Sequence, residues 1–452
     1  MKICTPIILL KKLGGLSLCL YFSATCAYAQ QALTLEQSLD LARQHNVNLR
    51  QASYNASKST INLRSTQFAY LPTIGARADV SRVNGLTFDN VQGQVKRGNT
   101  TSSNPYISAQ LVLFEGFSKF FELKRARKEA EANTYLLEQA QIDMEATVTG
   151  HFLQAILDRE NARIARERIS LLESQVNQIA KLEKAGVRTE GDVYQLKSQL
   201  ATEKLNLITH ENSYRQSLML LSQAMNSGAD TNYDLQTPTA MVDINESLPA
   251  FEEVLNKVVA GSPLLKASEA TLAASKQNLN VVRSSLSPTL SLNGIIGSNF
   301  SSNIMQPDSE NKIFTQIPYF EQLDQNQQKI VQLSLSIPVF NGFRNHFLSQ
   351  NAKLDLRNAE LDYIAAENTL RQTIQQAYQD VLAAQEKYNT VVANLEYSQK
   401  AFEAAKRKYE LGLVDFFSYM ESLNNKSRVE AELLQSKCEF YFKYRILTLY
   451  QG

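Results

Sequence analysis

Residues 370–409 read LRQTIQQAYQDVLAAQEKYNTVVANLEYSQKAFEAAKRKY, and the fold turns on this stretch. Leu370, Ile374, Ala377, Val381, Ala384, Tyr388, Val391, Leu395, Ser398, Phe402, Ala405 and Tyr409 step by four and three residues in alternation. That is the a/d seam of a coiled coil, sustained over more than five heptads and interrupted only by Ser398. The seam lies in a window without proline after Pro338; a second such window runs from Pro105 to Pro238. Both are rich in Ala, Leu, Glu, Gln, Lys and Arg, the residues that lose least in a helix. A helix of about 65 residues is about 100 Å long at 1.5 Å per residue, more than one compact domain accommodates.

Outward from the seam, the chain repeats itself. Phe114-Glu115-Gly116-Phe117 matches Phe340-Asn341-Gly342-Phe343, and Ala185-Gly186-Val187 matches Leu411-Gly412-Leu413. Both pairs stand 226 residues apart (342 − 116 and 412 − 186). Leu71-Pro72-Thr73-Ile74 matches Ser287-Pro288-Thr289-Leu290 at an offset of 216 (288 − 72). The second copy therefore carries ten more residues between its proline and its Phe-x-Gly-Phe (226 − 216). Each copy predicts a short helix (about 35–45 and 251–260), a middle helix ending before Pro72 or Pro288, two strands around an Asn/Ser/Gly loop, a long helix and a last helix. The expected boundaries are residues 30–226 for the first repeat, with strands at about 73–114, a long helix at about 118–185 and a last helix at about 190–225. Residues 227–249 form a linker. Residues 250–452 form the second repeat, with strands at about 289–340 and helices at about 344–411 and 416–450. Gly186 and Gly412 suit left-handed helix caps, and Thr189 and Asp415 suit the next N-caps, Thr189 with Asp192 reading as a capping box.

The strands alternate with period two. Val331, Leu333, Leu335, Ile337 and Val339 alternate with Gln332, Ser334 and Ser336; Ile107, Ala109, Leu111 and Leu113 alternate with Ser108 and Gln110. Ile74, Ala76, Ala78 and Val80 alternate with Gly75, Arg77, Asp79 and Ser81, and Leu290 and Leu292 with Ser291 and Asn293. Runs of about ten residues match tilted membrane-spanning strands, although periodicity by itself also allows a soluble sandwich.

Residues 1–29 read as an export signal: Lys2, Lys11 and Lys12, the apolar run Leu13 to Phe22, then Ala27-Tyr28-Ala29 before a cut at Gln30. A membrane anchor is the competing reading, against which the run is short. A lipid on Cys26 is another, which Thr25 and Ser23 suit poorly. The formal charge of +1 becomes −2 once the three signal lysines leave, which argues against nucleic acid. Only Cys438 remains of four cysteines, so an internal disulfide framework is not expected; it reads as a small buried helix residue. His45, His151, His210 and His346 are scattered without metal-ligand spacing, and neither a phosphate loop nor a nucleophile elbow is present. No enzymatic activity and no cofactor are expected.

In sum, the chain resembles the outer membrane efflux protein family, whose name-giving member is TolC. The residues that carry the resemblance are Leu71-Pro72-Thr73 and Ser287-Pro288-Thr289, Ile337-Pro338-Val339-Phe340-Asn341-Gly342, and Tyr409-x-x-Gly412 followed nine residues later by Glu421. It implies a mainly α fold with long coiled-coil helices and four strands per protomer. A homotrimer then forms a twelve-stranded barrel in outer-membrane lipid over a twelve-helix periplasmic tunnel, which also answers a physical need, since four strands do not close a barrel. The function implied is an outer-membrane duct of a tripartite efflux or type I secretion system, meeting a periplasmic adaptor and an inner-membrane pump. A periplasmic coiled-coil adaptor or structural protein is the alternative. Pro72, Pro288, Gly116 and Gly342 mark helix–strand junctions, and the tips at Gly186, Val187, Gly412 and Leu413 are the adaptor-contact candidates, against plain turns.

The family's periplasmic narrowing is lined by acidic residues six and nine positions past the second tip glycine, with an aromatic three before it. Here these positions hold Ser418, a departure, then Glu421 and Tyr409. In the first repeat Asp192 is the sixth position and Arg188 the second. The gate candidates are therefore Asp192, Glu421, Tyr409 and Arg188, although Asp192 also reads as a helix cap and Glu421 as a solvated charge.

Overall fold

The computed structural model describes residues 32–89, 93–228, 233–237, 248–307 and 314–451. The export signal at 1–29 and Cys26 lie outside these residues. In chain order the elements are β1 (Ala32–Leu33), α1 (Leu35–His45), α2 (Val47–Phe68), β2 (Thr73–Asp89), β3 (Gln94–Glu115), α3 (Ser118–Lys184), α4 (Glu190–Met225) and β4 (Asp234–Leu235). The second half follows with α5 (Phe251–Gly261), α6 (Pro263–Ser284), β5 (Thr289–Gly297), β6 (Phe300–Ser301), β7 (Met305–Pro307), β8 (Phe314–Gln316), α7 (Tyr319–Gln325), β9 (Gln328–Ser336), α8 (Arg344–Glu410) and α9 (Phe416–Gln451).

The helices of the two halves agree residue for residue in length. α3 and α8 each have 67 residues, α4 and α9 each 36, α2 and α6 each 22, and α1 and α5 each 11. Each long helix starts from two successive left-handed residues, Gly116 and Phe117 (φ 62° and 65°) or Gly342 and Phe343 (φ 65° and 62°). Glycine takes that conformation freely; a phenylalanine there is held by its surroundings. Phe117 meets Phe114 edge-on at 5.4 Å, and Phe343 meets Phe340 edge-on at 5.5 Å.

One sheet carries the strand order β2-β3-β5-β9, antiparallel throughout. Residues directly opposite in such a ladder share a face. One face therefore collects the rows Ile74–Ala109–Gly294–Val331, Leu111–Leu292–Leu333 and Phe114–Leu290–Leu335. The other collects Thr73–Gln110–Asn293–Gln332, Gly75–Ser108–Ile295–Ile330 and Val112–Ser291–Ser334. A bulge between Val112 and Phe114 changes the parity, so the apolar face continues at Phe114 instead of along the expected alternation to Leu113.

Other strand expectations need correction. β9 ends at Ser336, so Ile337 and Val339 lie outside it; Pro338 has no N–H for a ladder. The expected Asn/Ser/Gly loop of the first copy is mostly strand, since β2 and β3 have 17 and 22 residues. In the second copy β5 and β9 have nine residues each, and the segment between them folds into β6, the β7–β8 pair and α7. Within the expected linker, β4 pairs in parallel with β1 and Leu235 joins the core around Phe152.

Below the sheet the helices lie side by side. α3 borders α2, α4, α6 and α9; α8 borders α6 and α9. The seam residues Leu370, Ile374, Val381 and Ala384 pack with Phe440 and Leu447 of α9. Among the described residues no helix is long and apolar enough to cross a membrane.

Candidate functional site

Three surfaces of the chain are built for something beyond its own fold: the sheet edges, one helix flank and the two helical tips.

The sheet has β2 at one edge and β9 at the other, each with one unpaired side. Its apolar face is solvent-exposed in the single chain, Val331, Leu333 and Leu335 each at more than 60 %. An apolar face between two open edges suits a wall in lipid once the edges are paired.

The helix flank follows from comparing α2 with α6. α6 lies between α8 and α3, whereas α2 lies against α3. Val47, Tyr54, Ile61 and Phe68 recur every seventh residue along α2 and are exposed, Tyr54 at 70 %. At the equivalent positions of α6, Ala270 and Ser284 are buried. On α8, Phe347, Leu354 and Leu361 form a matching exposed row. Tyr135 of α3, the counterpart of Leu361 (361 − 226), faces α6, whose Lys266 Nζ lies 5.9 Å from its ring. The bare flank of α8 is thus the flank that α3 uses to hold a middle helix. The sequence carried the signal, a seven-residue spacing, but only the seam of the second long helix was read from it.

The tips are two tight helical hairpins. At the first, Gly186 (φ 75°) closes α3 with Gly186 N–H to Glu183 O at 2.8 Å and Val187 N–H to Leu182 O at 2.9 Å. At the second, Gly412 (φ 71°) repeats the pattern onto Tyr409 O and Lys408 O at 3.0 and 2.8 Å. These are left-handed caps that satisfy the last carbonyls of each long helix. Thr189 and Asp192 form the reciprocal capping box, Asp192 accepting from Thr189 N–H at 3.1 Å. Asp415 caps α9 through Ser418 N–H at 2.9 Å. A hydrogen bond from the Ser418 side chain, that backbone bond and the nearby Arg188 charge hold the Asp415 carboxyl below its ordinary range.

Leu172, Ile179, Val193, Leu196, Phe416 and Met420 fuse both tips into one apolar cluster. Tyr409 belongs to it, stacked on Tyr419 at 5.1 Å with planes 16° apart. Glu421 lies apart, exposed in a groove of about 660 Å³ lined by Arg168, Ser418, Asn425 and Arg428. So the four gate candidates separate in this chain: Asp192 in a cap, Arg188 near Asp415, Tyr409 in a stack and Glu421 open. The aromatic stack and the approach of Arg188 to Asp415 were not read from the sequence, because each joins residues more than 200 positions apart or on separate helices. Among the described residues no group of His, Cys, Asp and Glu side chains is arranged to hold a metal.

The sequence profile described as Outer membrane efflux protein matches residues 38–227 and 254–437. Protein CyaE of Bordetella pertussis is 23% identical over 385 residues, covering 84% of this chain and 76% of its own. The pyoverdine export outer membrane protein OpmQ of Pseudomonas putida is 21% identical over 426 residues, covering 92% and 85%. Among solved structures, the outer membrane protein VceC of Vibrio cholerae superposes with a TM-score of 0.77 at 14% identity, covering 92% of this chain and 96% of that one. The Campylobacter jejuni CmeC outer membrane channel gives 0.74 at 16% identity, covering 92% and 85%.

Proposed function

The chain belongs to the outer membrane efflux protein family, and from that premise we propose how its surfaces divide the work of the channel. It is a non-enzymatic outer-membrane efflux channel of a tripartite efflux or type I secretion system, and its family works as trimers within efflux complexes.

β2 of one protomer pairs with β9 of the next, and three copies close a twelve-stranded wall with its apolar face toward lipid. The α2 row of Val47, Tyr54, Ile61 and Phe68 seats against Phe347, Leu354 and Leu361 of the neighbour's α8. The observation that carries this reading is the bare α2 flank set against the occupied α6 flank in the same chain. Cross-linking in membranes tests it: a threefold ladder is expected, and a monomer or dimer as the largest species overturns it.

The tips at Gly186-Val187 and Gly412-Leu413 receive the periplasmic adaptor, through which the inner-membrane pump delivers cargo. They are exposed, duplicated and placed at the end remote from the sheet. Inserting proline at Val187 or Leu413 is expected to abolish export and spare trimer assembly; export surviving both insertions overturns the placement.

Beyond the tips, Asp192 and Glu421 narrow the tunnel, and Arg188 with Tyr409 holds it shut. Three copies of a carboxylate around one axis repel one another and attract cations. In planar bilayers, Asp192→Ala and Glu421→Ala are expected to weaken divalent-cation block. Tyr409→Phe combined with Arg188→Ser is expected to raise resting conductance. Unchanged block and conductance throughout place the narrowing elsewhere.

A further inference from the structure

Where all four strands run side by side, the polar face is almost free of charge, and its exceptions sit at the two ends of that four-stranded part. Glu115 stands at the end of β3 that meets α3, opposite Thr289. Between there and the other end the face carries Thr73, Gln110, Asn293 and Gln332, then Gly75, Ser108, Ile295 and Ile330, then Val112, Ser291 and Ser334, all neutral. The outermost four-stranded row is Arg77–Tyr106–Gly297–Gln328, and one step beyond it Asp79 stands opposite Asn104.

Arg77 and Asp79 are two residues apart on one strand, so both side chains leave the same face. Arg77 Nε donates to Asp79 Oδ2 at 2.8 Å and to Oδ1 at 3.0 Å. The pair is open to solvent, the two side chains being 66% and 48% exposed. Gly297 offers no side chain in this row, and a Cβ there would stand 2.7 Å from Tyr106 Cβ. The ladder thus fixes one guanidinium and one carboxylate where the otherwise neutral four-stranded wall ends and the β2–β3 pair continues alone. A surface pair of this kind adds little to stability, so its consequence is the field it sets over the opening.

We propose that Arg77 and Asp79 form a charge-compensated selectivity ring at the outer mouth of the barrel, so that the mouth admits solutes of either charge sign. The proposal rests on the trimeric closure and on the polar face lining the lumen. Three copies put three guanidinium groups and three carboxylates at one level. Each Asp79 cancels the anion preference that three Arg77 side chains alone would impose, and each Arg77 cancels the cation preference of Asp79. A ring of one charge sign at a pore mouth selects ions; a ring of close opposite pairs does not.

The experiment is the reversal potential of the purified trimer in a planar bilayer under a potassium chloride gradient. Asp79→Asn is expected to raise the chloride-to-potassium permeability ratio about threefold or more. Arg77→Gln is expected to lower it by a similar factor, and the double variant to restore the original value. Ser334→Arg, deeper on the same face, serves as the control for the lumen. A shift with Ser334→Arg and none with either single rim variant overturns the ring and leaves the closure standing. No shift with any of the three overturns the lumen assignment itself. Shifts of the same sign in both rim variants overturn the compensation.

Discussion

The two middle helices, α2 and α6, have equal length and the same place in their repeats, yet they keep different company. α6 is flanked by both long helices; α2 touches α3, and its other flank shows Tyr54, Ile61 and Phe68 to solvent. The long helices differ in the complementary way. α3 carries a middle helix on each side, and α8 carries α6 on one side and an exposed apolar row on the other. If three copies close as proposed, a single chain is two-sixths of a ring in which each long helix is flanked by two middle helices. In that ring the contact of α2 with the neighbour's α8 repeats the contact that α6 makes with α3 within the chain.

The sharpest way to break this comparison is to charge the bare flank. Ile61→Asp or Leu361→Asp buries a carboxylate at each of three protomer contacts if the ring closes as proposed. Each contact is expected to lose about 3 kcal/mol or more, enough to abolish trimers in outer-membrane fractions while the chain keeps its helical content. Normal trimer yield from both variants dissolves the equivalence. Next in size is the contrast between the sheet faces. Leu335→Arg is expected to cost about 2–4 kcal/mol near the bilayer midplane, and Ser334→Arg far less. Trimer yields that fall equally mean that the faces are assigned wrongly.

The junction glycines separate folding from assembly. Gly116 and Gly342 share a positive φ, so alanine costs about 1 kcal/mol at either. At Gly116 a Cβ would also stand 2.2 Å from Ser287 Cβ and 2.7 Å from Ser284 O, whereas at Gly342 nothing of the same chain lies within 4 Å. The counterpart of Ser287 is Leu71 (287 − 216), so in the proposed trimer the space beside Gly342 is filled by Leu71 of the next protomer. Gly116→Ala is expected to lower the melting temperature of the isolated chain, and Gly342→Ala chiefly that of the trimer. Equal losses in the isolated chain contradict this.

The smallest effect is chemical. Cys438 on α9 is buried, and burial pushes its thiol up to about 11. Its counterpart on α4 is the exposed Asn212 (438 − 226). Cys438 is expected to resist alkylation at pH 8 in chain and trimer alike, whereas a thiol introduced by Asn212→Cys reacts in the chain and slows in the trimer. Because folding holds the Cys438 thiol neutral, its contribution to stability is intact below the ordinary thiol pKa of about 8.5 and declines as pH rises from there toward 11. A stability curve flat across that window contradicts the burial.

Much of the helical part was legible because its signals are long. Proline-free windows and an a/d seam mark α3 and α8, and Gly186 and Gly412 mark their ends through a conformation few other residues accept. The strands were less legible. The bulge at Val112 and Phe114 shifts parity without a sequence mark, and residues 83–89 and 94–101 are rich in turn formers that the ladder nevertheless holds extended. α7 was missed entirely. Its Gln322 is fully buried and its amide bonds both Ser301 N–H and Ser301 O, at 3.0 and 3.1 Å, as a strand partner would. Site legibility followed range: the caps are local and were readable, whereas the stack of Tyr409 on Tyr419 needs a folded hairpin to exist.

The matched helix lengths impose a rule on how such a chain changes over generations. With 67 against 67 residues and 36 against 36, the two tips meet in one apolar cluster, and an insertion in one long helix displaces its tip by 1.5 Å and 100° per residue. No neighbouring column compensates, so both halves have to lengthen together. The strands and their connections, 17 and 22 residues in one half against nine and nine in the other, have already drifted apart. Length is inherited here as a ruler at one end of the molecule and as free variation at the other, and tolerated insertions should fall where the two halves already disagree.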